Sequence, residues 1–107
     1  MLRDFMRLIV FFDLPTITKA ERDIYRRFHK YLLEEGYIMM QYSIYIKIFT
    51  NRDSCVKHKE VLRRYLPKQG QIRIMMITEK QYANMEIVVG GASRQELASN
   101  INSFISL

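Results

Sequence analysis

An aspartate stands directly behind a five-residue apolar run: Leu8-Ile-Val-Phe-Phe12 leads into Asp13, and Pro15 follows two places on. The β-branched and aromatic run over 5–12 is too short for a helix and reads as a buried strand. Asp13 then falls at the carboxyl end of a central strand, at the rim of a sheet, where functional side chains collect. An acid there is costly unless it is solvated, caps a turn or binds a cation. Spacing alone leaves two readings open: a turn or cap aspartate ahead of a helix start at Thr16–Thr18, or a site carboxylate. One carboxylate is short of an all-protein magnesium cage, but Mg2+ is commonly held by one or two carboxylates with water and substrate phosphates. A two-fold dimer would bring a second copy of Asp13 to the same axis and supply the other acid. Such a metal could activate water and steady a phosphodiester leaving oxygen, and catalysis would then need the dimer.

The second candidate is cationic. Ala20, Ile24, Phe28 and Leu32 recur every four residues and predict the buried stripe of a helix over 19–35, ended by Gly36. Arg22, Arg26 and Lys30 recur at the same spacing about 160° around the axis, with Arg27 beside them. Only Lys30 has an acid, Glu34, four places on. The stripe suits phosphate contacts, with a merely solvated helix face as the alternative. Lys57, Lys59, Arg63, Arg64 and Lys68 form a looser cluster, partly offset by Glu60.

Other chemistries fall away. There is no glycine-rich phosphate loop and no cysteine pair, and His29 and His58 lie on different predicted helices. Cys55 at a helix start reads as a small packing residue, His58 as an interior histidine, and the Tyr37–Tyr45 group as sheet core rather than a base-stacking surface. The lone cysteine fits a reducing cytosol, hence a cytoplasmic protein. No apolar run approaches the ~18 residues of a membrane span, and Arg3, Asp4 and Arg7 argue against a secretory signal.

The elements that must position these residues follow from the pattern. A chain of 107 residues, 49% apolar and 26% charged, is expected to be one folded domain over 1–107. Residues 37–49 are β-rich, as one long bent strand or a tight hairpin about Gln41–Ser43; no Asn-Gly signal decides. A second helix is predicted from a cap at Asn51 or Asp53 to Leu66, before Pro67. A strand over Gln71–Ile77 should turn Ile72, Ile74 and Met76 to one face. Thr78-Glu-Lys-Gln81 is a capping box that opens a short helix through Met85. A brief strand at Ile87–Val89 precedes the Gly90-Gly91 turn. A second box at Ser93–Glu96 opens a helix to about Asn100, and Ser103–Leu107 is read as a last strand. Two helices on one face of an antiparallel sheet make the expected fold class α+β, a ferredoxin-like βαββαβ sandwich with a C-terminal appendage over 92–107. Seventeen basic against eleven acidic residues give +6, which favours a polyanionic partner without naming it.

The strand-turn Leu-Ile-Val-Phe-Phe-Asp13-Leu-Pro, the Arg22–Leu33 helix and Gly36-Tyr-Ile-Met-Met-Gln41-Tyr-Ser43-Ile-Tyr45 together resemble the second universal CRISPR-associated adaptation protein, the Cas-two family. Lys68-Gln-Gly70 before a strand, then Thr78-Glu-Lys-Gln-Tyr-Ala-Asn-Met85, resembles its type II-A branch in particular. The resemblance covers about residues 6–89. It implies a ferredoxin-like homodimer whose C-terminal strand often adds to the partner's sheet. It implies that Asp13 is the magnesium-binding aspartate at the dimer axis and the catalytic residue of an endonuclease acting on RNA or DNA. It further implies a subunit that bridges dimers of the CRISPR-associated integrase on a prespacer double-stranded DNA, where the nuclease activity is dispensable. By position, the family's duplex-binding residues match Lys19, Arg22 and Arg26; Arg27 and Lys30 extend that set. Residues 92–107 are assigned to dimer or integrase contact. The alternative is a stand-alone metal-dependent endoribonuclease of the toxin-like type.

Overall fold

In the computed structural model, which describes residues 4–98, a four-stranded antiparallel sheet carries two long helices on one face. The order along the chain is β1 (Met6–Asp13), α1 (Lys19–Glu34), β2 (Ile38–Gln41), β3 (Ile44–Phe49), α2 (Arg52–Leu62), β4 (Gln71–Thr78), α3 (Glu79–Ala83) and α4 (Arg94–Ala98). Across the sheet the order is β2-β3-β1-β4, so β1 is central. This is the ferredoxin-like βαββαβ arrangement expected, with α3 and α4 appended. The antiparallel register sets Asp13 opposite Gln71 and Phe11 opposite both Ile44 and Arg73.

Alternation divides each strand between two faces. Leu8, Val10 and Phe12 of β1 and Tyr45 and Phe49 of β3 pack with Phe28 and Leu32 of α1 and Cys55 and Leu62 of α2. Phe12 is the aromatic centre, edge-on to Phe28 at 5.1 Å and stacked on Tyr45 at 5.4 Å. The opposite face carries Ile9, Ile46 and Ile77, flanked by Phe11, Ile38, Met40, Ile44 and Tyr82. Among the described residues no long helix covers it. At its far end Arg7, 3% exposed, makes a two-pronged ion pair with Glu79 (2.7 and 2.9 Å) and lies 3.8 Å from the Tyr82 ring centre.

Several expectations are corrected. Ala20 is exposed and Ile24 only half-buried, because the first turns of α1 overhang the sheet; burial begins with Tyr25 and is complete at Phe28 and Leu32. Of the two readings left open for residues 37–49, the tight hairpin about Gln41–Ser43 is the one that forms, closed by Tyr42-Ser43. The second helix ends at Leu62 and tightens into a 3-10 turn over Arg63–Tyr65, so Leu66 lies outside it. Its cap is Asn51, which accepts from the Ser54 N–H at 2.8 Å. The turn after Thr78 stops at Ala83, two residues short of Met85, though both bonds of its capping box form.

Ile87–Val89 is not a strand within this chain; these residues are 54%, 86% and 90% exposed in turn. The β2 edge that could have received a strand is occupied by α4. Gln95 accepts from the Met39 N–H at 2.6 Å and the Ser93 hydroxyl donates to the Met39 carbonyl at 3.0 Å. The Ser93 box forms as expected and α4 follows to Ala98; the strand expected over Ser103–Leu107 lies outside the described residues. Among the described residues no helix is long and apolar enough to cross a membrane.

Candidate metal and nucleic-acid sites

β1 delivers Asp13 to the sheet rim and Leu14, 7% exposed, pins the chain immediately behind it. Gly70 closes on the same point from the turn before β4. It adopts φ +77, and a Cβ there would collide with the Asp13 carbonyl oxygen and press on Leu14. Gly70 is therefore what lets the β4 loop seat against Asp13. On the other side the Phe12 N–H donates to the Ser43 carbonyl at 3.0 Å, fixing the hairpin tip beside the strand end. Phe11, Phe12, Asp13, Tyr42, Ser43, Ile44, Gln71 and Arg73 line an open cleft of about 350 Å³.

The Asp13 carboxylate is exposed and makes no hydrogen bond or ion pair among the described residues. The capping alternative is thereby removed. Thr18 caps α1, accepting from the Glu21 N–H at 3.1 Å, and Glu21 reaches back to the Thr18 and Ile17 amides. No group of three or more His, Cys, Asp or Glu comes together among the described residues. The donor set that the described residues offer here is thus a single solvated carboxylate. It fits the mode in which magnesium keeps water and takes oxygens from a second chain or a phosphate, and not a closed cage.

Lys19, Arg22, Arg26, Arg27 and Lys30 all project into solvent from α1. They are less free than the spacing implied. Asp23 pairs with Arg26 and, at 3.4 Å, with Lys19. The Arg22 guanidinium donates to the Ile17 and Thr16 carbonyls at 2.6 and 3.3 Å, and Arg27 donates to the Asp23 carbonyl at 3.4 Å. Lys30 makes no ion pair among the described residues, not even with Glu34. Asp23, Arg26, Arg27 and Lys30 border a shallow recess of about 460 Å³ that shares no residue with the Asp13 cleft. The two candidate sites share no lining residue, and Tyr42 and Phe12 of the cleft touch α1 through the Tyr25 ring, with centroids 6.5 and 5.7 Å apart.

The two histidines and the cysteine are structural. His58 Nε2 bonds the Tyr37 hydroxyl at 3.0 Å, and burial, then nearby Lys47, holds its pKa below the usual histidine range. His29 Nδ1 bonds the buried Tyr45 hydroxyl, whose pKa burial pushes up to about 12. Cys55 is fully buried, which pushes its thiol up. Two residues of the cleft escaped sequence reading. Tyr42 was placed with the core tyrosines, yet Tyr37 and Tyr45 are buried while Tyr42 is 75% exposed. Its position midway in the 37–49 run, where a hairpin would turn, was the available signal. Arg73 alternates with Ile72 and Ile74, which puts it on the uncovered face.

Comparison with known proteins bears on both sites. The family model described as CRISPR associated protein Cas2 matches residues 6–85. A CRISPR-associated endoribonuclease Cas2 of Acidovorax ebreus is 43% identical over 95 residues, covering 89% of this chain and 93% of its own. A protein of the same description from Treponema denticola is 47% identical over 95 residues, covering 86% and 91%. One from Streptococcus mutans is 39% identical over 102 residues, covering 95% and 93%. A solved structure titled "Crystal structure of cas2" superposes with a TM-score of 0.54 at 20% identity, over 84% of this chain and 91% of that one.

Proposed function

The chain belongs to the Cas2 family of CRISPR associated proteins, and on that premise we propose that it is an adaptation subunit that binds prespacer double-stranded DNA as a homodimer and bridges integrase dimers. One observation carries the reading: five exposed cations on one helix, Lys19, Arg22, Arg26, Arg27 and Lys30, in a chain of net charge +6. A duplex presents phosphates at regular spacing, and a rigid helix holding several cations suits them without reading base sequence. The ion pairs with Asp23 are exposed, so a phosphate competes for Arg26 and Lys19 at little cost.

The homodimer is supported by the sheet face that no long helix covers, and by Asp13 on that face, which a second copy would double. Residues 1–107 act as one domain, with 92–107 serving dimer or integrase contact. Mg2+ held between two Asp13 carboxylates would polarise a phosphodiester and activate water. The chain's own part is to fix the Asp13 backbone between Gly70 and Ser43 and keep its carboxylate unpaired. The names of the curated relatives favour a second reading, a metal-dependent endoribonuclease that works alone.

Spacer-length duplex binding, co-purification with the integrase and an integration assay test the assignment. Arg22→Ala with Arg26→Ala should lower duplex affinity and flatten its salt dependence by about one unit of slope per cation. Asp13→Ala should leave integration intact. Loss of integration in a still-dimeric Asp13→Ala protein would overturn that division of labour. Chelator-sensitive RNA turnover, abolished by Asp13→Ala in a protein that neither binds duplex nor supports integration, would establish the second reading.

A further inference from the structure

Two acids, Glu21 and Asp23, lie among the five cations of α1, and they are put to different ends. Glu21 has a structural duty: its carboxylate accepts from the Ile17 and Thr18 amides and closes the capping box. Asp23 has no duty of that kind. Among the described residues its carboxylate meets no backbone amide, and its partners are the two cations within helical reach. Lys19, four residues before it, donates at 3.4 Å, and Arg26, three residues after it, forms a close ion pair. The Lys19 and Arg26 side chains are 83% and 66% exposed and that of Asp23 only 36%, so the acid lies lower on the helix surface than the cations folded over it. Asp23 also borders the shallow recess that Arg26, Arg27 and Lys30 line. The basic stripe thus already holds an anion of its own, where four-residue spacing alone would leave every cation free.

We propose that Asp23 is an internal competitor for phosphate that limits the hold of α1 on a duplex. This rests on the reading that the α1 face binds duplex DNA, and it adds what sets the strength of that binding. A cation that leaves Asp23 for a phosphate exchanges one anion for another, so it contributes less than a free cation would. The carboxylate then stays behind as a charge of the same sign as the phosphate, within a Debye length of it. Each exposed pair is weak, which is why a duplex can displace both. In a homodimer one duplex meets two copies of Asp23, and the two deficits combine. Lys30, without an ion pair among the described residues, is ready for first contact, while Lys19 and Arg26 are a reserve released as phosphates arrive. A hold weakened in this way is readily reversed, which suits a subunit that presents its duplex to another enzyme.

Fluorescence anisotropy with a labelled spacer-length duplex, in the presence of chelator and at about 50 mM salt, tests this. Asp23→Asn and Asp23→Ala should each tighten binding at least about threefold, and the gain should fade as salt rises. Asp23→Glu should bind as the parent does, because the charge remains. Glu34→Gln is the charge-matched control. It removes one negative charge about three turns further along the same helix but frees no paired cation, and should change affinity less than about twofold. With Lys19 and Arg26 both replaced by alanine, adding Asp23→Asn should also gain less than about twofold. No gain in Asp23→Asn, an equal gain in Glu34→Gln, or an undiminished gain without Lys19 and Arg26 overturns the proposal while the parent's duplex binding stands. A parent and an Asp23→Asn protein that both fail to hold duplex overturn the proposed function with it. Thermal unfolding confirms that each variant is folded before binding is read.

Discussion

Asp13 and His58 show how differently two titratable residues are used. Asp13 is exposed and unpaired among the described residues, so none of them consumes its oxygens. His58 is packed between the Tyr37 and Phe49 rings, with centroids 5.6 and 5.2 Å away, and keeps its proton count low. Its folded pKa lies below the unfolded value of about 6.5, so above that pH both states are neutral and nothing is lost. Below it the unfolded chain takes up a proton that the folded chain resists, and stability falls as pH falls towards the folded pKa. Lys47 adds to that resistance and Glu35 opposes it. Urea unfolding should therefore show stability declining from about pH 7 to pH 5, with a shallower decline in His58→Gln. An equal slope in the variant would assign the decline to other groups. Sequence reading identified His58 as an interior histidine because it shares a helix face with Cys55 and Leu62. It could not name Tyr37 as the partner, since that contact crosses 21 residues of chain.

Elements were legible where local chemistry is self-contained. The boxes at Thr78 and Ser93 and the cap at Asn51 each use residues three apart, and all three form. A box at Thr18, closed by Glu21 three residues on, forms as well. Ala20 was misassigned because spacing fixes a face but not how far a helix overhangs its sheet. Ile87–Val89 was misassigned because β-propensity does not supply a neighbour, and α4 had taken the available edge. The turn at Gly70 shows what an element can demand of a distant residue. Alanine there would have to hold φ +77 and clear the Asp13 carbonyl, a backbone atom that cannot swing aside. Gly70→Ala should cost about 2 kcal/mol or more in denaturant unfolding. The same substitution should also weaken whatever depends on the position of Asp13. A variant as stable as the parent would mean that this turn yields easily and is not what positions the carboxylate.

At the scale of the whole molecule the two sheet faces are unequal. One is sealed by α1 and α2; among the described residues the other presents Phe11, Ile44 and Met75, with α3 and its Tyr82 near one end. A chain that leaves such a face uncovered invites a partner, and a second copy supplies the same apolar surface by symmetry. Asp13 lies on this face, so the dimer proposed would also complete a two-carboxylate site. Met75 offers a clean probe, being 48% exposed on β4 and outside both buried clusters. In the isolated chain Met75→Glu should cost no more than about 0.5 kcal/mol, as surface substitutions do. Across a two-fold interface it sets a carboxylate against an apolar surface, and where the copies meet near the axis it opposes a second glutamate. Sedimentation equilibrium should then show a dimer for the parent and at least about a tenfold weaker association for the variant, a loss of roughly 1.4 kcal/mol or more. Metal binding that depends on paired Asp13 residues should fall with it, while the α1 cations, on the other side of the sheet, keep their single-chain affinity for duplex. A Met75→Glu protein that stays dimeric would move the interface elsewhere, and the exposed Ile87–Val89 segment would be the next surface to substitute.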